Sequence, residues 1–191
     1  MKLFIFFIST LMTLNLSALE VDLDKSTFSW KGTKLNGEHM GTLKLKSAKI
    51  QTKEPKAKTK DKKKAPSHNV IGGEFVMDLN SISVTDLEGK WKAKLEGHLK
   101  SEDFFELSKY PTAKLIVSKV TDKEFTGKLT IKDQTHPITV PYSKKGNEYS
   151  GSLKFDRTKF NMKYRSGNFF KDLGDKLIHD DVELKFKVVL K

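Results

Sequence analysis

The chain contains no cysteine. Disulfides, cysteine-ligated zinc and thiol nucleophiles are thereby excluded, as is a lipoprotein anchor, which needs an acylated cysteine behind the leader. Stability must come from packing alone. Arginine is nearly missing as well: only Arg157 and Arg165 contribute to a net charge of +12 that is otherwise lysine. Bidentate recognition of bases and phosphates favours arginine. The charge therefore argues against specific nucleic-acid readout and for a lysine-covered, solvated surface, with contact to an anionic membrane surface as the sharper alternative. No long apolar run occurs after the first residues. Leu3–Leu14 is apolar but shorter than the roughly 20 residues that span a bilayer. Lys2 precedes it and Asn15-Leu16-Ser17-Ala18 follows it. Residues 1–18 thus read as a secretory signal peptide and predict an exported, periplasmic protein.

Catalytic and metal-binding signatures are missing in the same way. There is no GxGxxG, Walker A or GxSxG pattern. His39, His68, His98, His136 and His179 show neither HxH nor HExxH spacing, and Asp172, Asp175, Asp180 and Asp181 lack the order of a calcium loop. His98 near Glu102 and Asp103 resembles part of an acid/base pair. Without a nucleophile or metal beside it, a hydrolase built on His98 is the least supported reading. The expectation is a protein that is not an enzyme, with no catalytic residues and no metal.

What the chain does have is phenylalanine and alternation. Phe28 and Trp30 share one parity, and Leu43 and Leu45 alternate with Lys44 and Lys46. Ile71, Phe75, Met77 and Leu79 share a face, as do Ala113, Leu115 and Val117. The same holds for Phe125, Gly127, Leu129 and Ile131, for Ile138, Val140 and Tyr142, and for Tyr149, Gly151, Leu153 and Phe155. Last, Val182, Leu184, Phe186, Val188 and Leu190 oppose Glu183, Lys185 and Lys187. Turns at Lys132–Thr135 and Lys144–Asn147 lie close enough together to imply antiparallel neighbours. About eight strands result, and a clean last strand suits closure onto the first. The predicted fold is all-β: an eight-stranded antiparallel up-and-down, lipocalin-like barrel with a short helical insertion, in one domain over 19–191. A β-sandwich is the competing architecture. Such a barrel holds side chains or one ligand inside.

Three stretches break the alternation. Gln51–Asn69 holds seven lysines and two prolines with no bulky apolar residue, and reads as a flexible insertion. Leu87, Trp91, Leu95 and Leu99 recur every four residues, which predicts a helix capped by Thr85 or Asp86. Ser101 ahead of Glu102 and Asp103 predicts a second helical turn with Ser101 as its N-cap, stopped by Pro111. That turn carries Phe104 and Phe105, which suit a lid or plug at one end of the core. The third stretch, Asp156–Asp181, is irregular and rich in Gly, Asn and Asp.

Several motifs resemble the YceI-like family of bacterial exported proteins. They are W-x-G-T-K at Trp30–Lys34, G-E-H-x-G at Gly37–Gly41 and GHLKSEDFFELSKYPTAK at Gly97–Lys114. TGKLTIK at Thr126–Lys132, DRTKF at Asp156–Phe160 and the segment Tyr164–Leu184 complete the likeness, which covers Val21–Leu190. The resemblance implies an eight-stranded barrel around a hydrophobic channel, binding of long-chain isoprenoid or other amphiphilic lipids, quinone-like molecules among them, and no enzymatic residues. Two departures stand out: the turn at Asp133-Gln134 lacks the family's glycine, which predicts a different hairpin there, and the insertion at Gln51–Asn69 is unusually long and basic.

The site expected from these readings is the barrel interior, since small-molecule sites are concave and mostly apolar with a few polar anchors. Trp30, Phe75, Met77, Leu115, Leu129, Ile131, Phe155 and Phe170 are expected to line the channel. Phe104 and Phe105 would sit in or under the flap with His98 beside them, and Arg157 would pair with a carboxylate or hold an anionic head group. The predicted function is a periplasmic carrier that sequesters such a lipid, with no cofactor other than a bound isoprenoid-type lipid. A homodimer is left open. The rival reading is an envelope interaction protein whose lysine-rich loop docks to anionic membrane or cell-wall polymers.

Overall fold

Strands with one apolar and one lysine-bearing face must bury the first and wet the second, and a ring of strands does both. In the computed structural model, which describes residues 19–53 and 69–191, eight antiparallel strands close into a barrel in plain sequence order. They are β1 (Val21–Lys34), β2 (Gly37–Lys53), β3 (Asn69–Val84), β4 (Thr112–Val120), β5 (Glu124–Ile131), β6 (Gln134–Lys145), β7 (Glu148–Asp156) and β8 (Ile178–Leu190). Pairing of β1 with β8, from Val21 opposite Leu190 to Lys34 opposite Ile178, closes the ring and excludes the sandwich. One helix, α1 (Gly89–Lys100), follows β3, and a 3-10 turn at Arg157–Phe160 follows β7. These segments and the loop before β8 lie at one end of the barrel, the helix end. β2 finishes and β3 starts at the other.

The inward parity is the expected one. Phe28, Leu43, Leu45, Met77, Leu129 and Leu153 are all buried. Ile71 departs from it and is exposed. The β2–β3 ladder steps from Gln51 opposite Gly72 to Thr52 opposite Val70, and this irregularity skips Ile71 and turns it outward. The same ladder carries Lys53 opposite Asn69, so both ends of the expected insertion are strand. The remainder of that insertion, His68 included, and the expected signal peptide over 1–18 lie outside the described residues.

β6 and β7 pair only from Tyr142 opposite Gly151 to Lys145 opposite Glu148. Pro141 and Pro137 follow toward the helix end and have no N–H to extend the ladder. There β6 leans on the 3-10 turn instead: His136 Nε2 donates to the Lys159 carbonyl at 2.9 Å, and its ring stands edge-on to Phe160 at 5.1 Å. The β5–β6 hairpin keeps a tight two-residue turn without glycine, with Lys132 and Asp133 at φ of 48° and 58°. Their left-handed backbone matches the primed hairpin geometry that fits strand twist.

The helical region corrects three expectations. α1 starts at Gly89, with Glu88 as N-cap and no side-chain cap. Thr85 and Asp86 are committed to β2: Thr85 Oγ1 donates to the Met40 carbonyl at 3.3 Å, and Asp86 accepts from Met40 N–H at 2.9 Å. Gly89, at φ 53°, lets the chain turn into the helix. The four-residue stripe does not all face inward. Each step of four overshoots a turn by about 40°, so Leu99 is buried while Trp91 swings out to solvent. Ser101 is the C-cap of α1, its hydroxyl donating back to the His98 carbonyl at 2.8 Å, and turns rather than a second helix carry the chain to Tyr110.

Close approach fixes where the chain needs glycine. A Cβ on Gly41 would sit 1.9 Å from the Ser83 carbonyl oxygen and 2.6 Å from the Trp30 ring, whereas one on Gly97 in α1 meets nothing within 4 Å. Gly41→Ala is expected to cost about 3 kcal/mol by overpacking, and Gly97→Ala to gain about 0.5–1 kcal/mol from helix propensity. Urea unfolding of the two variants checks both signs.

Candidate functional site

The barrel interior is not filled. Two cavities lie one behind the other. One, of about 120 Å³, occupies the half away from the helix and is lined by Phe28, Phe75, Leu115, Phe125, Tyr149 and Phe186 among others. The second, of about 130 Å³, lies under the helix end and is lined by Trp30, Leu99, Phe104, Phe105, Ile131, Phe155 and Met162 among others. Met77, Leu129 and Leu184 belong to both walls and form a waist between them. The lining is carbon nearly throughout. Lys114 touches the first cavity, but its ammonium group reaches out toward Glu74 at 3.8 Å.

Ten of the twelve expected residues therefore meet in this interior: Phe75 and Leu115 in the first cavity, Met77 and Leu129 at the waist, and Trp30, Phe104, Phe105, Ile131, Phe155 and Arg157 in the second. Phe170 is a correction. It is half exposed and lines neither cavity, because it lies in the loop outside the barrel, where phase on a strand says nothing. His98 lies outside the lining too. Its ring stands edge-on to Phe104 at 5.0 Å and to Tyr164 at 4.7 Å, and its Nε2 meets Asp103 Oδ2 at 2.9 Å. The pairing with a carboxylate is real, but it braces the outside of the plug. Among the described residues, no group of three His, Cys, Asp or Glu side chains is arranged to hold a metal ion.

Among the described residues Arg157 is the least exposed charge, at 2%. Its Nε donates to the His179 carbonyl at 3.1 Å, Nη2 to the Ile178 carbonyl at 2.9 Å and Nη1 to the Met162 carbonyl, while Nη2 lies 3.2 Å from Asp180 Oδ1. Burial lowers its proton affinity more than Asp180 and Asp156 restore it, yet a guanidinium stays charged in proteins. With its donors spent on protein carbonyls, Arg157 pins the loop between the 3-10 turn and β8 to the barrel rim. Asp156, the sequence neighbour, instead accepts from Thr158 N–H at 2.9 Å. Asp180 Oδ2 extends the lock, accepting from Ser166 Oγ at 2.9 Å and Asn168 Nδ2 at 2.8 Å.

Sequence reasoning missed Lys132. Its side chain is 7% exposed, donates to the Glu102 carbonyl at 3.0 Å and lies 3.6 Å from Glu106, so it ties the Phe104–Phe105 plug to the β5–β6 hairpin. A lysine in a turn carries no signal of burial. Leu184 and Phe186 were also left out of the expected lining, although their parity on β8 placed them inside. Met162 follows the 3-10 turn, where no period applies. Carboxylates fix α1 and the β2–β3 end. Val84 N–H and the Ser83 hydroxyl hold Glu96 below the usual carboxylate range against the opposing effect of burial. Burial pushes Asp86 up, and bonds from Met40 N–H and His39 outweigh it.

One buried donor, on a residue of the cavity wall, is unspent. Trp30 Nε1 is buried and has no hydrogen-bond partner, and Trp30 lines the second cavity.

Known proteins share this fold. The model of the YceI-like domain family matches residues 19–190. BcnA of Burkholderia cenocepacia is 26% identical and superposes with a TM-score of 0.62, over 89% of this chain and 99% of that one. A domain from Saccharophagus degradans, described as polyisoprenoid-binding and implicated in plant cell wall breakdown, is 12% identical with a TM-score of 0.58, over 91% of this chain and 98% of that one. No curated protein matches the chain.

Removing Arg157 would leave half-buried Asp180 without its cation, held only by Ser166 and Asn168, and three backbone carbonyls without their donor. Arg157→Ala is expected to cost about 3–5 kcal/mol, and Arg157→Ala with Asp180→Asn appreciably less than the sum of the single changes. A double-mutant cycle in urea checks this. An additive result would mean that the pair is uncoupled.

Proposed function

The chain belongs to the YceI-like domain family, and on that premise we propose that its barrel binds and carries a long-chain isoprenoid or a similar amphiphilic lipid. The observation that carries the reading is the pair of carbon-lined cavities that share Met77, Leu129 and Leu184 as the wall between them. A compact ligand would need one chamber; a long, thin, apolar chain threads both. Burial of such a chain gains about 25 cal/mol per Å² of apolar area, so its hold requires little polar contact.

The polar end of the lipid has a fitting partner. A buried N–H without an acceptor costs free energy that a hydrogen bond removes, and the Trp30 indole is such a group. An amphiphile with a carbonyl or hydroxyl oxygen satisfies it where a plain hydrocarbon does not. The polyisoprenoid-binding description of the Saccharophagus degradans domain accords with this choice of cargo. The lipid is the only small molecule the reading calls for. The apolar stretch and small residues over 1–18 support export, and the periplasm is the compartment we assign.

Native mass spectrometry of gently purified protein is expected to show an added lipid mass, and delipidated protein is expected to take up prenyl lipids. Leu184→Trp, which fills the waist, is expected to weaken binding of a long prenyl chain at least tenfold while sparing a chain short enough for one cavity. Protein that is always lipid-free and takes up no prenyl lipid would refute the carrier reading.

A further inference from the structure

A large apolar side chain in water is unfavourable unless something covers it, and α1 leaves its largest one uncovered. Trp91 is 59% exposed, with the Lys90 and Lys94 ammonium groups 5.5 and 5.8 Å from its ring centroid. Lys90, Ala93, Lys94 and Gly97 are exposed as well, and helical steps of about 100° put Lys94 and Lys90 about 60° and 100° round from the tryptophan, while the exposed Lys100, nine residues on, falls about 180° from it at the far edge of the solvent face. The carboxylate nearest that face is Asp103, which His98, two turns on from Trp91, holds at 2.9 Å. Glu96 is turned under the helix, accepting from Val84 N–H at 2.9 Å and Ser83 Oγ at 3.1 Å, and Glu88 stands at the N-cap. A second segment converges on the same end. Through Tyr164, whose ring lies 4.7 Å from His98, the loop before β8 abuts α1. That loop exposes Phe169 and Phe170 to 50% and 48%, with Lys163 Nζ 4.7 Å over the Phe169 ring.

The geometry points to this face as a docking surface for an anionic lipid bilayer. Aromatic rings settle at head-group depth, and lysines beside them meet anionic phosphates. The face is convex, with small residues between splayed lysines, which suits a soft charged surface better than a shaped protein partner. α1 has 12 residues and lies on a membrane rather than spanning it. The inference deepens the lipid-binding reading and rests on it for its purpose: Leu99, on the inner side of α1, lines the second cavity, so docking sets that cavity against the bilayer that supplies or receives lipid.

Co-sedimentation of the full mature chain with vesicles of phosphatidylglycerol and phosphatidylcholine, against phosphatidylcholine alone, tests it. Binding is expected to the anionic vesicles and to fall with salt. Each lysine near the surface contributes about a fivefold change in partition, so Lys90→Gln and Lys94→Gln together should lower it roughly 25-fold. Trp91→Ala should lower it roughly tenfold. Tryptophan emission of the unaltered protein should be quenched by brominated acyl chains, and that of Trp91→Phe should not. Thermal melting and native mass spectrometry report fold and lipid content separately. Docking by a protein that takes up no lipid sinks the carrier reading alone, and lipid uptake without docking sinks this one alone. Three outcomes overturn the proposal: no binding to anionic vesicles at low salt; binding that survives the α1 substitutions but vanishes on deletion of Pro55–Pro66; and a dimer in sedimentation velocity that Trp91→Ala dissolves.

Discussion

The seam between β1 and β8 is the constraint on which the rest of the molecule depends. Until Phe28 faces Phe186 and Trp30 faces Leu184 across it, the apolar faces of the strands share no common interior and two sheet edges stay open. Closure removes the edges and sets the bore of the barrel by strand number. Eight strands leave more room than these side chains fill, and the two cavities are what remains. Capacity for a ligand is thus a property of the ring, distributed over all its strands.

The ends of the ring are treated differently. At the helix end, irregular chain is drawn across the rim and held by buried cations on backbone carbonyls: Arg157 on Ile178, His179 and Met162, and Lys132 on Glu102. A loop carries carbonyls that no strand satisfies, and a buried cation answers several of them at once. The short β6–β7 ladder belongs to the same economy of backbone groups. Where Pro141 ends the pairing, the 3-10 turn and Phe160 fill the widened seam.

Legibility followed periodicity. Phe75, Met77, Leu115, Leu129 and Phe155 were placed inside by parity, because a strand in a closed ring has only two directions to face. Ile71 failed where a ladder irregularity shifted the phase, and Trp91 failed because a four-residue repeat is not the helical period. Phe170, His98 and Ser101 sit in or beside turns, where their surroundings come from distant chain. Ser101 looked like an N-cap from its neighbours, yet it closes the helix behind it, since the hydrogen bonds of α1 start at Gly89 and run out there.

By itself the sequence determined most of the strands, their inward faces and the absence of any thiol chemistry, since these depend on alternation and composition, while the β1–β8 pairing chose the barrel over the sandwich. Only the tertiary structure decided that Arg157 spends its donors on three backbone carbonyls, that Lys132 is buried, that the interior divides at a waist, and that Trp30 keeps a free donor. Each of those depends on which groups meet across the ring, such as Arg157 with Asp180 or Lys132 with Glu102, and no local pattern along the chain encodes such meetings.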